Sequence, residues 1–446
     1  MKVIVIGSGP AGYSSALKLK SMGVDVKIVE SGDFGGTCLN RGCIPAKAIL
    51  EIARRYYEIK EIKDFFTPHP EINPIWEKIK EYKTKVVTNL RSSLERLFFL
   101  KKIEIIKGIA KILSPKEIEV STDGKRQIHQ FDKLIIATGT KPFYPKPFDS
   151  HKDILIDSDR IFDLERIPSK LAIIGAGVIG IEIACFFNAV GVEVSVVDIM
   201  SEILPSEDPE VVRFLRNSLE KRGVKFYLSS KINKIEINKD KKTLLLENGS
   251  HIDADTVMIA AGRTTELQEL NLGLADIKYS KYIEVNNFMQ TSNPDIYACG
   301  DVNGISMLAH SAIRQAEIAA QHIVRANSER FDKNIVPLCI YSWPEYASVG
   351  FNTKTAKENG IDIKVKKAYF QAVGKAVATM HTEGFIQIII DENETVIGSQ
   401  ILGGPATEII HTLAVAVKNK LKLKELKSII YAHPTMSEII MEAINR

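Results

Sequence analysis

The sequence predicts an α/β protein: two similar domains, each built on a parallel sheet, followed by a mixed α+β domain. Three observations carry this reading. The chain has 446 residues, too many for one ordinary core, so about two to four domains follow. At the N-terminus a strand, a Gly-x-Gly-x-x-Gly loop, a helix, a second strand and an acid succeed one another. The same series returns near the middle, and the last third of the chain lacks it.

The first series opens with the apolar run "KVIVI", which enters "GSGPAG" with Gly7, Gly9 and Gly12. "YSSALKLKSMG" has helical spacing, and "VDVKIVE" is a strand ending at Glu30. The first glycine permits a tight turn, the second lets the backbone approach a pyrophosphate, and the third lets helix and strand pack closely. A pyrophosphate rests on such a helix N-terminus, and the acid accepts from a ribose hydroxyl. A lone glycine motif says little, but here its whole context is present. The second series, "KLAIIGAGVIGIEIACFFNAVGVEVSVVD", carries Gly175, Gly177, Gly180 and Asp198. The first glycine and the acid lie 23 residues apart in both copies. The chain is therefore expected to bind two dinucleotides in two Rossmann-like domains. Both acids favour a free 2′-hydroxyl. After Asp198 comes "IMSEIL", with no Arg or Lys to meet a phosphate, so NAD rather than NADP is expected there. For the first loop the glycines leave NAD and FAD open.

Three further strands end in punctuation: at Ala137-Thr138-Gly139, at Gly262-Arg263, and at Gly300-Asp301. Each fits a plain strand and turn. Asp301 fits equally an acceptor for a cofactor polyol at the end of an open α/β sheet. "AILEIARRYYEIKEIKDFF" and "PIWEKIKEYKTKVVTNLRSSLERLFF" read as two helices split by Pro68, Pro70 and Pro74. In the last third, "IVPLCIYSWPEYASVG" and "FIQIIIDENETVIGSQILGG" read as strands with turns. "ATEIIHTLAVAVKNK" and "MSEIIMEAINR" read as amphipathic helices, in a domain suited to association.

Composition excludes several classes. Hydrophobic residues make up 45% and charged residues 26%, a soluble globular balance, and the net charge is only +4 with both signs scattered. No nucleic-acid partner is expected. No apolar run reaches a membrane span, and the short run before Gly7 fits a buried strand better than a signal peptide. Five cysteines do not make a secreted disulfide framework, and Cys185, Cys299 and Cys339 stand alone, so zinc is not expected either. Cys38 and Cys43, in "GGTCLNRGCIPAK", remain as a working thiol pair, as expected in a reducing, cytoplasmic setting.

The N-terminal loop, the run from Gly35 to Pro45, the second loop and "HPTMSE" near the end closely resemble the flavoprotein disulfide reductases, in order along the whole chain. The resemblance implies FAD on the first loop, NAD on the second, and a homodimer formed through a C-terminal dimerisation domain, with active sites shared between subunits. It divides the chain into an FAD domain (1–145 and 264–332), an NAD domain (146–263) and a dimerisation domain (333–446). Gly36, Thr37, Ala110, Thr138, Gly139, Gly262 and Arg263 join the expected cofactor positions, and Asp301 is expected on the FAD ribityl chain. Cys43 is implied as the flavin-side thiol and Cys38 as the sulfur that exchanges with substrate. Lys47 is implied beside the flavin, paired with Glu182, whose carboxylate in an apolar helix needs a partner. His433 is implied as the base and Glu438 as its orienting acid. Thr435 and Glu438 also fit a capping box for the last helix, and the two roles can overlap.

The implied reaction oxidises a dithiol such as dihydrolipoamide, borne by a lipoyl protein of a 2-oxo acid dehydrogenase or glycine-cleavage-type complex, with NAD as acceptor. The alternatives are an NADPH-dependent reductase of another disulfide such as glutathione, and a non-catalytic redox-sensing subunit. Ala46, Arg41 and Tyr431 depart from the residues common in the family. The other eight histidines, His310 among them, are expected to be structural.

Overall fold

Strand Lys2–Ile6 pairs in parallel with Asp25–Glu30 on one side and Lys133–Ile136 on the other. Glu104–Lys107 and Ile296–Ala298 complete a five-stranded parallel sheet. The computed structural model describes residues 1–66, 73–238, 241–325 and 329–446. A second parallel sheet has the same plan. Lys170–Ile174 lies at its centre, between Glu193–Val197 and Thr256–Ile259, with Lys225–Tyr227 and Ile156–Asp157 at the edges. All these central strands are apolar on both faces, as sheets covered on both sides require. The likeness extends beyond the loops. Each sheet is accompanied by a three-stranded antiparallel one, Ile109–Ser114 to Lys125–Gln130 in the first unit and Ile232–Asn238 to His251–Ala254 in the second. The chain leaves the first unit and returns to it side by side, through the antiparallel pair Lys141–Pro142 and Arg263–Thr264.

The third unit is an antiparallel five-stranded sheet covered by helices Ala406–Asn419 and Glu438–Ile444, with a core that includes Ile386, Ile401, Leu413 and Ile440. It is joined to the second unit by two carboxylates, one buried and one half-buried. Asp208, fully buried, caps helix Pro209–Lys221 by accepting from Glu210 N–H (3.0 Å) and also accepts from the Thr353 hydroxyl (2.6 Å). Glu207 accepts from the Tyr346 hydroxyl at 2.6 Å.

The two helices expected after the cysteine stretch are Cys43–Glu61 and Trp76–Leu100; Pro68 and Pro70 lie outside the described residues. Helix Cys43–Glu61 packs on Val178–Ala189, which is buried on nearly every side, with Phe186 against Trp76. The only charge on this helix, Glu182, is therefore enclosed. No helix among the described residues is long and apolar enough to cross a membrane.

Candidate active site

Both glycine loops are built as their spacing requires. A Cβ on Gly12 would lie 1.9 Å from the Gly7 carbonyl oxygen, and one on Gly180 2.0 Å from that of Gly175. Only glycine lets these helices sit on their loops. Helices Pro10–Ser21 and Val178–Ala189 start without a side-chain cap, which leaves their first N–H groups for an anion. The two acids occupy equivalent stations. Glu30 accepts from Ser8 N–H (2.9 Å) and Gly32 N–H (2.7 Å); Asp198 accepts from Ala176 N–H (2.6 Å) and Met200 N–H (2.8 Å).

One continuous cavity of about 1890 Å³ is lined by both loops, both acids, Cys38, Cys43, Lys47 and Glu182. Gly36, Thr37, Ala110, Thr138, Gly139, Asp301, Gly262 and Arg263 also border it; Gly12 and Gly180 pack beneath the loops instead. A cavity of this size and lining fits two dinucleotides. The glycines keep its walls open, since a Cβ on Gly139, Gly177 or Gly262 would meet nothing within 4 Å.

The cysteine stretch lies directly on the first loop. Gly36 (φ +66°) approaches so closely that a Cβ would be 2.5 Å from Gly9 Cα. Ser8 ties the pieces together: its hydroxyl donates to Glu30 (2.6 Å) and accepts from Gly35 N–H (2.9 Å). Cys38 sits in the short helix Gly36–Asn40, and Cys43 is the first residue of helix Cys43–Glu61. Both are free thiols and share a hydrogen bond. Cys43 is exposed, but toward the cavity. The hydrogen bond from Cys38 brings Cys43 down to about 7, helped by the Lys47 charge and opposed by burial and Glu182. The same bond pushes Cys38 well up. The shared hydrogen bond, the Lys47 charge and the helix N-terminus all favour the thiolate at Cys43.

Lys47 Nζ donates to both oxygens of Glu182 (2.9 and 2.7 Å) and lies 4.5 Å from the centre of the Tyr341 ring. Glu182 also accepts from Tyr341 N–H at 3.0 Å. Three units therefore meet at one carboxylate.

His433 and Glu438 lie elsewhere. His433 Nδ1 is 2.8 Å from Glu438 Oε1, its side chain is 76% exposed, and neither residue lines the cavity of its own chain. Glu438 Oε2 accepts from Thr435 N–H (2.8 Å). The Thr435 hydroxyl, however, donates back to Ala432 O (2.8 Å), so half of the expected capping box forms beside the His–Glu pair. Hydrogen bonds to His433 and Thr435 hold the Glu438 carboxyl below its usual range.

Several residues escaped the sequence reading. Ser8 and Tyr341 carry no motif of their own, and Thr140 and Asp159 reach the cavity only through the fold. Lys231 borders the cavity near Asp198, supplying the cation that the stretch after Asp198 lacks, but it is paired with Glu247 at 2.5 Å. Of the departures, Arg41 lies 4.0 Å from Asp159, and the Tyr431 hydroxyl donates to Leu426 O at 3.4 Å. His310 also borders the cavity, its Nε2 2.7 Å from Pro337 O.

Two dinucleotide loops and a dithiol on one cavity are the parts of a dinucleotide-linked disulfide oxidoreductase. Comparison with known proteins agrees. Residues 1–316 match the family described as pyridine nucleotide-disulphide oxidoreductase, and residues 336–444 match its dimerisation domain. Dihydrolipoyl dehydrogenase of Bacillus subtilis is 34% identical, with 100% of this chain and 98% of that protein covered. Leghemoglobin reductase of Glycine max is 35% identical, covering 99% and 86%. Among solved structures, the HOCl-induced flavoprotein disulfide reductase RclA from Escherichia coli superposes with a TM-score of 0.90 at 25% identity, covering 100% of this chain and 99% of that one. The chain belongs to the pyridine nucleotide-disulphide oxidoreductase family. It is an FAD- and NAD-dependent oxidoreductase.

Proposed function

We propose that the protein is a dihydrolipoyl dehydrogenase, which oxidises protein-bound dihydrolipoyl groups to the cyclic disulfide with NAD as final acceptor. The observation that carries this is the dithiol on the cavity wall: Cys43 opens helix Cys43–Glu61, Cys38 lies in the short helix before it, and Lys47, held by Glu182, stands one turn beyond Cys43. The first loop, Glu30 and Asp301 would hold FAD; Gly175, Gly177 and Asp198 would hold NAD. We assign residues 1–145 and 264–332 to the FAD domain, 146–263 to the NAD domain and 333–446 to dimerisation, and place the protein in the cytoplasm with a lipoyl-bearing protein as partner.

In the oxidised form Cys38 and Cys43 are joined. The partner subunit's His433 takes a proton from one substrate thiol. Its Nδ1–H is held by Glu438, a carboxylate that can only accept, so Nε2 is the free base. The substrate thiolate attacks Cys38, the Cys38–Cys43 bond breaks, and Cys43 leaves as a thiolate favoured by the helix terminus and Lys47. The second substrate thiol then attacks the mixed disulfide. The cyclic product leaves, and Cys38 regains a proton. Bound FAD supplies the relay of the electron pair from the dithiol to NAD. Lys47 is steadied by Glu182 throughout.

The deciding experiment is anaerobic. Purified protein is mixed with dihydrolipoamide and NAD, and in parallel with glutathione disulfide and NADPH, and nicotinamide absorbance is followed. Turnover in the first mixture alone is expected. Turnover only in the second would replace this reading with a glutathione-type reductase.

A further inference from the structure

Asp301 is a mostly enclosed carboxylate at the cavity wall, and its surroundings fix where one proton lies. Its Oδ2 is 2.8 Å from the Thr140 hydroxyl. That hydroxyl is also 2.9 Å from Arg263 Nε, while Arg263 Nη2 donates to the Thr140 carbonyl at 2.7 Å. A guanidinium only donates. One lone pair of the Thr140 oxygen is therefore taken by Arg263, and the hydroxyl hydrogen is directed to Asp301. Two parallel bonds to one residue also hold Arg263 flat against Thr140. Its far side faces Asp159 (3.5 Å) and the Ser158 hydroxyl (3.5 Å).

The other face of the turn is neutral. Gln315, fully buried, accepts from Gly300 N–H (2.8 Å) and from Asn303 Nδ2 (2.8 Å), and Ala11 and Ala312 close on Gly300. Arg263 is thus the charge that acts on Asp301, with Asp159 behind it and Arg41 beyond at 4.0 Å. Burial pushes the Asp301 carboxyl up; the Thr140 hydrogen bond and the Arg263 charge work against it.

We infer that Arg263 is a positioning residue that acts through Thr140: it aims the Thr140 hydroxyl at Asp301, which keeps that carboxylate ionised and leaves Oδ1 for the polyol chain of FAD. This rests on the reading that Asp301 binds that polyol. An ionised acceptor makes the stronger hydrogen bond to a hydroxyl, so FAD retention should depend on two residues that need not touch the cofactor.

The test uses purified holoprotein, with free FAD measured by flavin fluorescence across a pH series. Thr140→Val and Arg263→Gln should each weaken FAD retention at pH 7 by roughly tenfold, and both should move the acid release of FAD upward by about one pH unit. The sign follows from the charge: without its donor and cation, Asp301 takes up a proton at higher pH. Thr140→Ser keeps the hydroxyl and should retain FAD like the parent at every pH. In an Asp301→Asn background neither substitution should matter further. If Asp301→Asn alone retains FAD as the parent does, the polyol reading fails. If Asp301→Asn releases FAD but Thr140→Val and Arg263→Gln leave affinity and pH profile unchanged, the relay fails. Loss in Arg263→Gln without loss in Thr140→Val would show that Arg263 meets the cofactor directly, and would also overturn it.

Discussion

Lys47 and Glu182, 135 residues apart in sequence, meet through both carboxylate oxygens, at 2.9 and 2.7 Å. The pair is partly enclosed, with side chains 31% and 8% exposed. Removing one member strands the other. Glu182→Leu should cost roughly 2–3 kcal/mol of stability, below the cost for a fully enclosed pair because Lys47 keeps contact with solvent. Glu182→Gln can still accept from Tyr341 N–H and should cost less. Denaturant unfolding of the two variants compares them directly; equal losses would show that the bond from Tyr341 N–H adds nothing once the charge is gone.

The proton shared by the two thiols sets a pH dependence. In reduced protein, alkylation of Cys43 by iodoacetamide should rise with a midpoint of about 7. Cys38→Ala removes the hydrogen bond that favours the Cys43 thiolate, so the midpoint should move upward. Lys47→Met should move it the same way by a smaller step, since its charge contributes less than that bond. A midpoint unchanged in Cys38→Ala would mean the sulfurs do not share a proton.

In the proposed assignment Asp198 meets the ribose where NADP carries its 2′-phosphate, so NAD should be strongly preferred. Asp198→Ala should reduce that preference. Adding Glu247→Gln releases Lys231 from its ion pair and should raise NADP use roughly tenfold over the single variant. Steady-state rates with both nucleotides read this out, and equal turnover with NAD and NADP in the parent would refute the assignment.

The His433–Glu438 pair lies outside its own chain's cavity, with His433 exposed, which on the proposed function predicts sites built from two chains. His433→Gln should lose roughly 10²- to 10⁴-fold in dihydrolipoamide turnover, yet still pass electrons from NADH to an artificial quinone. Mixing Cys38→Ser subunits with His433→Gln subunits should restore part of the activity. Verified heterodimers that stay inactive would place base and thiols in one chain.

Local spacing made the loops legible. Gly7 to Glu30 and Gly175 to Asp198 each span one helix and one strand, so the glycines and the acid fall within 23 residues. The Lys47–Glu182 pair was visible only through the family resemblance, because nothing local joins residues so far apart. Thr140, Asp159 and Lys231 were not legible at all: each is an ordinary polar residue given meaning by a crossing of the chain. The accompanying antiparallel sheets escaped notice for another reason. Strands such as Lys125–Gln130 are short and largely exposed, so their alternation is weak.

The junction at Asp208 and Glu207 has a consequence for how the chain can be cut. Thr353 and Tyr346, their partners, belong to the last third of the chain. A fragment ending before residue 336 would keep both carboxylates and lose those partners, along with the apolar surface packed around them. Such a piece exposes apolar surface and leaves two carboxylates without the hydroxyls that orient them. Although the sequence reads as three domains, heat or denaturant should therefore melt them together, and recombination that swaps the final one must bring matching donors for both acids.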